Sequence, residues 1–156
     1  MADLSSLQDF AALLEFKIKL EKQDESIIDE INFFNSLDLP VETVIALNTL
    51  MHYVLDRQPA EKLPFLKRVV DNLDALDKDY FYAILDFKKI WMTNDLSREE
   101  KQAIVLHHAK QDKTFKCDFN FRHYYGKLTA FACYILDEEG QRIVLEKIKQ
   151  ARFEQE

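Results

Sequence analysis

Glycine and proline are scarce in this chain of 156 residues, which has glycine only at 126 and 140 and proline only at 40, 59 and 64. A β-rich domain needs many tight turns with positive φ, for which glycine is the usual residue. Two glycines cannot serve many hairpins, and glycines this far apart do not form a phosphate-binding loop. The scarcity therefore favours an all-α fold.

Cysteine and long apolar runs are also rare. The chain has two cysteines, and no window of 18 residues is free of charged side chains. A membrane-spanning helix needs such a window, and the first residues do not show the basic and then apolar pattern of a secretory signal. We therefore expect a cytoplasmic protein with free thiols and no membrane segment.

The charge balance is acidic, with a formal net charge of −7. Nucleic-acid binding normally requires a basic face, so the composition argues against a nucleic-acid partner and leaves a basic protein partner open. Aromatic residues make up 12% of the chain and hydrophobic residues 47%. That is enough for a folded core, which argues against intrinsic disorder.

Apolar residues recur with helical spacing along nearly the whole sequence, which predicts about eight helices. Ser97-Arg-Glu-Glu100 is a capping box that predicts the start of the sixth helix, and the seventh is expected from about Tyr124 to Leu136. The first helix carries an apolar stripe that we expect to be buried. This stripe consists of Leu4, Leu7, Phe10, Ala11, Leu14 and Ile18.

Two short segments occur twice. The stretch ALLEFK at 12–17 returns as AILDFK at 83–88, and HYVLD at 52–56 returns as CYILD at 133–137. The offsets differ by ten positions, which places an inserted loop near 110–122, where the helical periodicity fails. The sequence thus predicts one helical domain over 1–156. It would consist of two four-helix repeats, 4–75 and 77–154, packed as a short α-α superhelix or ring.

An acidic run next to aromatic residues is the first candidate binding surface. Carboxylates at a helix C-terminus oppose the helix dipole and repel one another, so Asp71 and Asp74 contribute nothing evident to stability. An acidic rim beside exposed aromatic residues is typical of a protein-binding patch. The alternative is a solvated turn in which Asp77 or Asp79 caps the fifth helix. The candidate residues here are Asp71, Asp74, Asp77, Asp79, Tyr80 and Tyr82.

The segment near 110–122 is the second candidate surface, because lysines alternate with phenylalanines there. Phe115 and the nearby Tyr124 complete the set of candidate partner-binding residues. Basic residues between aromatic ones can bind single-stranded nucleic acid, but the net charge argues against that. The alternative is a loop that closes the groove between the repeats and places its phenylalanines in the core.

One stretch contains residue types that suit metal binding or thiol catalysis, namely His107, His108, Cys117 and His123. Its spacing matches no zinc motif, and adjacent histidines point about 100° apart on a helix. Cys117 has basic neighbours, whereas Cys133 stands among apolar residues that keep a thiol inert. We predict no metal, no cofactor and no catalytic residue.

The stretch HYYGKLTAFACYILDEEG, residues 123–140, resembles the C-terminal part of helical immunity proteins from bacterial polymorphic toxin systems. Residues that carry the resemblance include Tyr125, Gly126, Phe131, Ala132 and Asp137, and Leu136 and Glu138 also fit the pattern. The resemblance implies a non-enzymatic protein that binds a basic toxin domain, such as a nuclease, and blocks its active site. The alternatives are a helical adaptor that binds its partner in the groove between the repeats, and a metal or thiol enzyme.

Overall fold

The computed structural model describes the backbone of residues 2–92 and 94–153, and the side chains of these residues except 2–9 and Ala60. Within these ranges the fold is all-α, as the scarcity of glycine predicted, and none of the described helices is long and apolar enough to cross a membrane. The helices are α1 (Ala2–Glu21), α2 (Ile27–Asn35), α3 (Val41–Arg57), α4 (Leu63–Asn72), α5 (Lys78–Met92), α6 (Arg98–Lys110), α7 (Asp118–Ile135) and α8 (Glu138–Gln150), with one 3₁₀ turn at Ala60–Lys62.

Side-chain caps define the starts of two of these helices. The capping box predicted for α6 is confirmed, because Ser97 Oγ accepts from the Glu100 amide at 3.1 Å and Glu100 Oε1 accepts from the Ser97 amide at 3.0 Å. At α8, Asp137 Oδ1 accepts from the Gly140 amide at 2.9 Å. Each cap satisfies amides that have no partner within the helix.

Helix α7 starts at Asp118, six residues before the predicted start near Tyr124, and the connecting loop spans only 111–117. The helical periodicity of α7 is hidden at its start because a polar residue occupies a core position in the first turns. Asn120, Tyr124 and Leu128 follow one another at intervals of four residues, and all three are buried. An asparagine on a buried face hides the apolar stripe from a reading based on hydrophobicity.

The prediction that the stripe of α1 is buried is wrong for the described part of that stripe. Phe10 is 40% exposed, Leu14 62% and Ile18 50%, and Ala11 is also exposed. The α1 residues that enter the core lie on another face of the helix, namely Leu13, Phe16 and Leu20. Leu4 and Leu7 lie outside the residues whose side chains are described.

Some helix contacts recur in both halves of the chain, although α7 contacts α6 and α8 more extensively than α3 contacts α2 and α4. In the first half α1 contacts α2 and α3, and α2 contacts α4. In the second half the corresponding pairs are α5 with α6 and α7, and α6 with α8. The halves meet where α4 packs against α5. This arrangement is consistent with two repeats, although the duplication itself, the repeat boundaries and the superhelical or ring packing stay predictions.

Candidate functional site

A cleft of about 850 Å³ lies between α4, α5 and the C-terminal end of α6, where the two halves meet. Leu63 and Pro64 of α4, Leu85 of α5 and Leu96 provide its apolar walls. Several charged side chains of both signs share this cleft, which makes it a candidate site for a polar or charged ligand group. They are Asp71, Asp79, Asp86, Asp95, Lys67, Lys89 and Lys113.

Three of the eight residues predicted to bind a partner line this cleft, namely Asp71, Asp79 and Tyr82. The Tyr82 hydroxyl donates to Asp71 Oδ1 at 2.6 Å. That hydrogen bond is the main cause that lowers the pKa of the Asp71 carboxyl, and Lys67 adds to the effect. Partial burial, together with Asp71, raises the pKa of Tyr82 to about 12. At neutral pH the pair therefore presents a neutral phenol and a charged carboxylate.

Asp74 is exposed outside the cleft, and its carboxylate pairs with Lys78 at 3.3 Å. The ammonium of Lys78 also donates to the Asp71 carbonyl at 2.8 Å, and Lys67 pairs with the Asp71 carboxylate at 3.2 Å. The interpretation that no positive side chain offsets the charges of Asp71 and Asp74 near the end of α4 is therefore wrong. Lys67 lies one helical turn before Asp71 on α4, and Lys78 is the first residue of α5, beyond the loop that contains Asp74.

Asp77 is buried, 3% exposed, and has no surface to offer a partner. One alternative predicted that Asp77 caps α5, but its carboxylate does not do so. Instead it accepts from the backbone amides of Lys116 at 2.5 Å and Cys117 at 3.2 Å, and from Asn120 Nδ2 at 2.9 Å. Asn48 Oδ1 accepts from the Asp77 amide at 2.9 Å. Asp77 thus attaches the loop before α7 to the start of α5.

Tyr80 and Tyr124 are also in the core, and Phe115 is only half-buried. The Tyr80 hydroxyl lies 2.9 Å from His52 Nδ1, and the Tyr124 hydroxyl donates to the His108 carbonyl at 3.0 Å. The Phe115 ring packs 5.6 Å from the ring of Tyr124. The alternative in which the loop places its phenylalanines in the core holds only in part, because Phe115 packs against the core but Phe119 is 48% exposed. None of Tyr80, Tyr124 and Phe115 lines the cleft.

A row of three side chains on the cleft wall was not found from the sequence. His108 is 4% exposed, and its Nε2 lies 2.7 Å from Asp86 Oδ2. The other ring nitrogen, Nδ1, lies 3.3 Å from Lys113 Nζ. The three residues come from α5, α6 and the following loop, so no local spacing brings them together. The one available signal was the histidine pair itself, since a histidine on a buried helix face needs a polar partner.

Electrostatics in this row are set by burial and by the hydrogen bonds. Partial burial raises the pKa of the Asp86 carboxyl, but the hydrogen bond with His108 and nearby positive charge such as that of Lys89 outweigh it, so the net shift is downward. Burial lowers the pKa of the Lys113 ammonium, and the charges of Asp79 and Asp86 act against that shift. The row therefore ends in an amine that releases its proton more easily than an exposed lysine does.

The residues with metal-binding or thiol chemistry lie in different places. His107 lines the cleft, whereas Cys117 is buried at the start of α7, where burial and Asp77 raise the pKa of its thiol to about 12. His123 packs against the ring of His52 at 4.6 Å. In the described part of the chain, no three histidine, cysteine or acidic side chains are placed to hold one ion.

Comparison of the chain with known protein families, with curated proteins and with solved structures yields no match. A function for this chain therefore has to be inferred from the residues of the cleft.

Proposed function

We propose that this chain is a protein-binding module whose cleft receives basic side chains of a partner, in the manner of a cytoplasmic immunity protein that neutralises a bacterial toxin domain. The carboxylates of Asp79 and Asp95 are the observation that carries this proposal. Both residues are exposed and line the cleft, and neither makes an ion pair with another described residue. An incoming cation would pair with them without breaking an existing ion pair.

The walls of the cleft suit the long side chains of arginine and lysine. Such side chains lay their methylene groups on apolar surface and keep the charged end in a polar environment. Leu63 and Leu85 are apolar wall residues, and Tyr82 lies beside the carboxylates. Tyrosine is among the residues that most often dominate binding energy at protein interfaces.

The overall charge supports the same proposal. A net charge of −7 attracts a basic domain over several ångströms and raises the rate of association. Because exposed charges are screened by salt, association steered in this way weakens steeply as the ionic strength rises. A basic toxin domain that binds an anionic substrate would be blocked by carboxylates in its active site.

Charge reversal at Asp79 tests this proposal. We expect Asp79→Lys to slow association with the partner about tenfold at low salt, because it places a repelling cation in the cleft. Tagged protein would first capture the partner from the native host, or the product of the adjacent reading frame, and association rates would then be measured by surface plasmon resonance. High salt should reduce the difference between Asp79→Lys and the unaltered protein.

Asp38→Lys is the matched control, since Asp38 is another exposed carboxylate outside the cleft and its reversal changes the net charge equally. It should slow association much less than Asp79→Lys. Equal slowing by the two variants would mean that only the total charge matters, and an unchanged rate with Asp79→Lys would exclude the cleft.

An adaptor that uses the groove between its repeats is the second candidate, because the cleft lies where the halves proposed as repeats meet. In that case the apolar walls would supply most of the affinity, and binding would persist at high salt. Dissociation of the captured partner at high salt supports the inhibitor. Retention of the partner at high salt supports the adaptor.

A further inference from the structure

Lys113 occupies an unusual position for a lysine on the wall of a cleft. Its Nζ atom lies 3.3 Å from His108 Nδ1 and donates to Gln111 Oε1 at 3.1 Å, and it lies 5.6 Å from the centre of the Tyr124 ring. None of these partners is a carboxylate, and Lys113 makes no ion pair with a described carboxylate. The amine is half-buried and still borders the open volume of the cleft.

The histidine beside this amine is held in one orientation. The Asp86 carboxylate accepts hydrogen bonds, so in the neutral His108 ring the proton belongs on Nε2, and Nδ1 turns its lone pair toward Lys113. Burial of the ring and its contact with Phe87, 5.5 Å between centroids, restrict its rotation. A nucleophile next to a base that a third group orients is the arrangement that activates nucleophiles in proteins.

We propose that Lys113 is a carbonyl-reactive amine, and that the cleft binds small aldehydes or ketones as an imine on its Nζ atom. The neutral amine attacks the carbonyl carbon, and the π electrons of the C=O bond move to oxygen. His108 Nδ1 takes a proton from the attacking nitrogen and delivers it to that oxygen, which gives a carbinolamine. Loss of water, which carries away the second proton of the amine, forms the C=N bond.

The surroundings of Lys113 favour the neutral amine that this step requires. Burial lowers its pKa from the ordinary lysine value of 10.5. The groups that face it are Asp79 and Asp86 of α5, which raise the pKa, and His108 of α6. The ring of Tyr124 of α7 also lies beside the amine and favours its charged form. Each unit by which the pKa falls increases the neutral fraction at physiological pH about tenfold.

This inference is independent of the proposed protein partner, because it concerns a small molecule and is tested without that partner. The full-length protein would be treated with 2-hydroxybenzaldehyde at neutral pH, and the imine fixed by borohydride, whose hydride reduces the C=N bond. Peptide mass spectrometry then locates the adduct. We expect Lys113 to be labelled about tenfold faster than exposed lysines.

Two substitutions of lysine test the assignment. Lys113→Arg keeps a cation at this place and removes the nucleophile, so the fast label should disappear. Lys88→Arg is the matched control, because Lys88 is another half-buried lysine whose pKa is lowered by burial, and it lies outside the cleft. This variant should leave the label at Lys113 unchanged. Labelling spread over surface lysines in proportion to their exposure would overturn the proposal, and so would a fast label that survives in Lys113→Arg.

Asp86→Asn tests the positioning role of the carboxylate through the pH profile of labelling. Loss of the negative charge lowers the pKa of Lys113 further, so the midpoint of the pH–rate profile should move to lower pH. The limiting rate at high pH should fall, because an imidazolium at His108 is no longer stabilised. A profile identical to that of the unaltered protein would exclude the row as the reactive unit.

Discussion

Replacement of Asp77 by alanine is expected to destabilise the protein by about 3–5 kcal/mol, a large part of the stability of a domain of this size. The substitution removes a buried acceptor from three donors, the amides of Lys116 and Cys117 and the side-chain amide of Asn120. Buried donors without a partner retain their full desolvation cost. Urea denaturation followed by circular dichroism measures the loss.

Asp74→Asn is the control for this prediction, because Asp74 is exposed and makes one ion pair, with Lys78. Such pairs contribute little, so its effect should stay within about 0.5 kcal/mol. A loss below about 1 kcal/mol for Asp77→Ala would show that water replaces the carboxylate, and that Asp77 does not hold the loop before α7 in place.

Replacement of Phe87 by alanine is also expected to lower the free energy of unfolding by about 3–5 kcal/mol, because it leaves a cavity in the core. Phe87 is 2% exposed, and its ring packs 4.8 Å from Phe131, 6.4 Å from Tyr124 and 5.5 Å from His108. The free energy of unfolding from urea denaturation is again the measurement. Because Phe87 also restrains His108, the variant should label more slowly at Lys113 with the aldehyde.

Leu14→Ala is the contrasting variant, because Leu14 stands in the matching segment of α1 but is 62% exposed. Its effect on the free energy of unfolding should stay within about 0.5 kcal/mol. A loss at Leu14 comparable to that at Phe87 would mean that the exposed stripe of α1 is covered in solution.

The pair of matching segments shows what sequence similarity can and cannot predict. Phe16 and Phe87 stand at equivalent positions, and both are buried, as expected of an apolar residue on a core face. Leu14 and Leu85 are also equivalent, yet Leu85 is 4% exposed and lines the cleft beside α4. In the described part of the chain no element covers the corresponding side of α1, so Leu14 is left exposed there. Similar local patterns thus have different burial when their neighbours differ.

Helix number and type were predictable because apolar spacing and caps are local signals. The start of α7 was missed because Asn120 occupies a buried position through hydrogen bonds to Asn48 and Asp77, residues 72 and 43 positions away in the chain. Only the folded chain supplies those partners. The same holds for Tyr80, whose hydroxyl contacts His52, a residue 28 positions away in the chain.

The candidate site was predictable in part for a similar reason. Asp71, Asp79 and Tyr82 were found because they stand close together in the sequence, and an acidic run beside aromatic residues is visible there. Asp86 and His108 are 22 positions apart, and only the packing of α6 against α5 brings them together. Charge composition predicted an acidic partner-binding surface, but it did not predict that lysines share the cleft.

The exposed apolar side chains of α1 form a second surface besides the cleft on which a partner could bind, and one measurement separates the two. Hydrogen–deuterium exchange of the purified complex, compared with the free protein, reports which backbone amides become protected. If the cleft binds the partner, protection should appear in α4, in α5 from Asp79 onward and at the end of α6. Protection confined to α1, around the exposed side chains of Phe10, Leu14 and Ile18, with no change at the cleft, would contradict the proposed function.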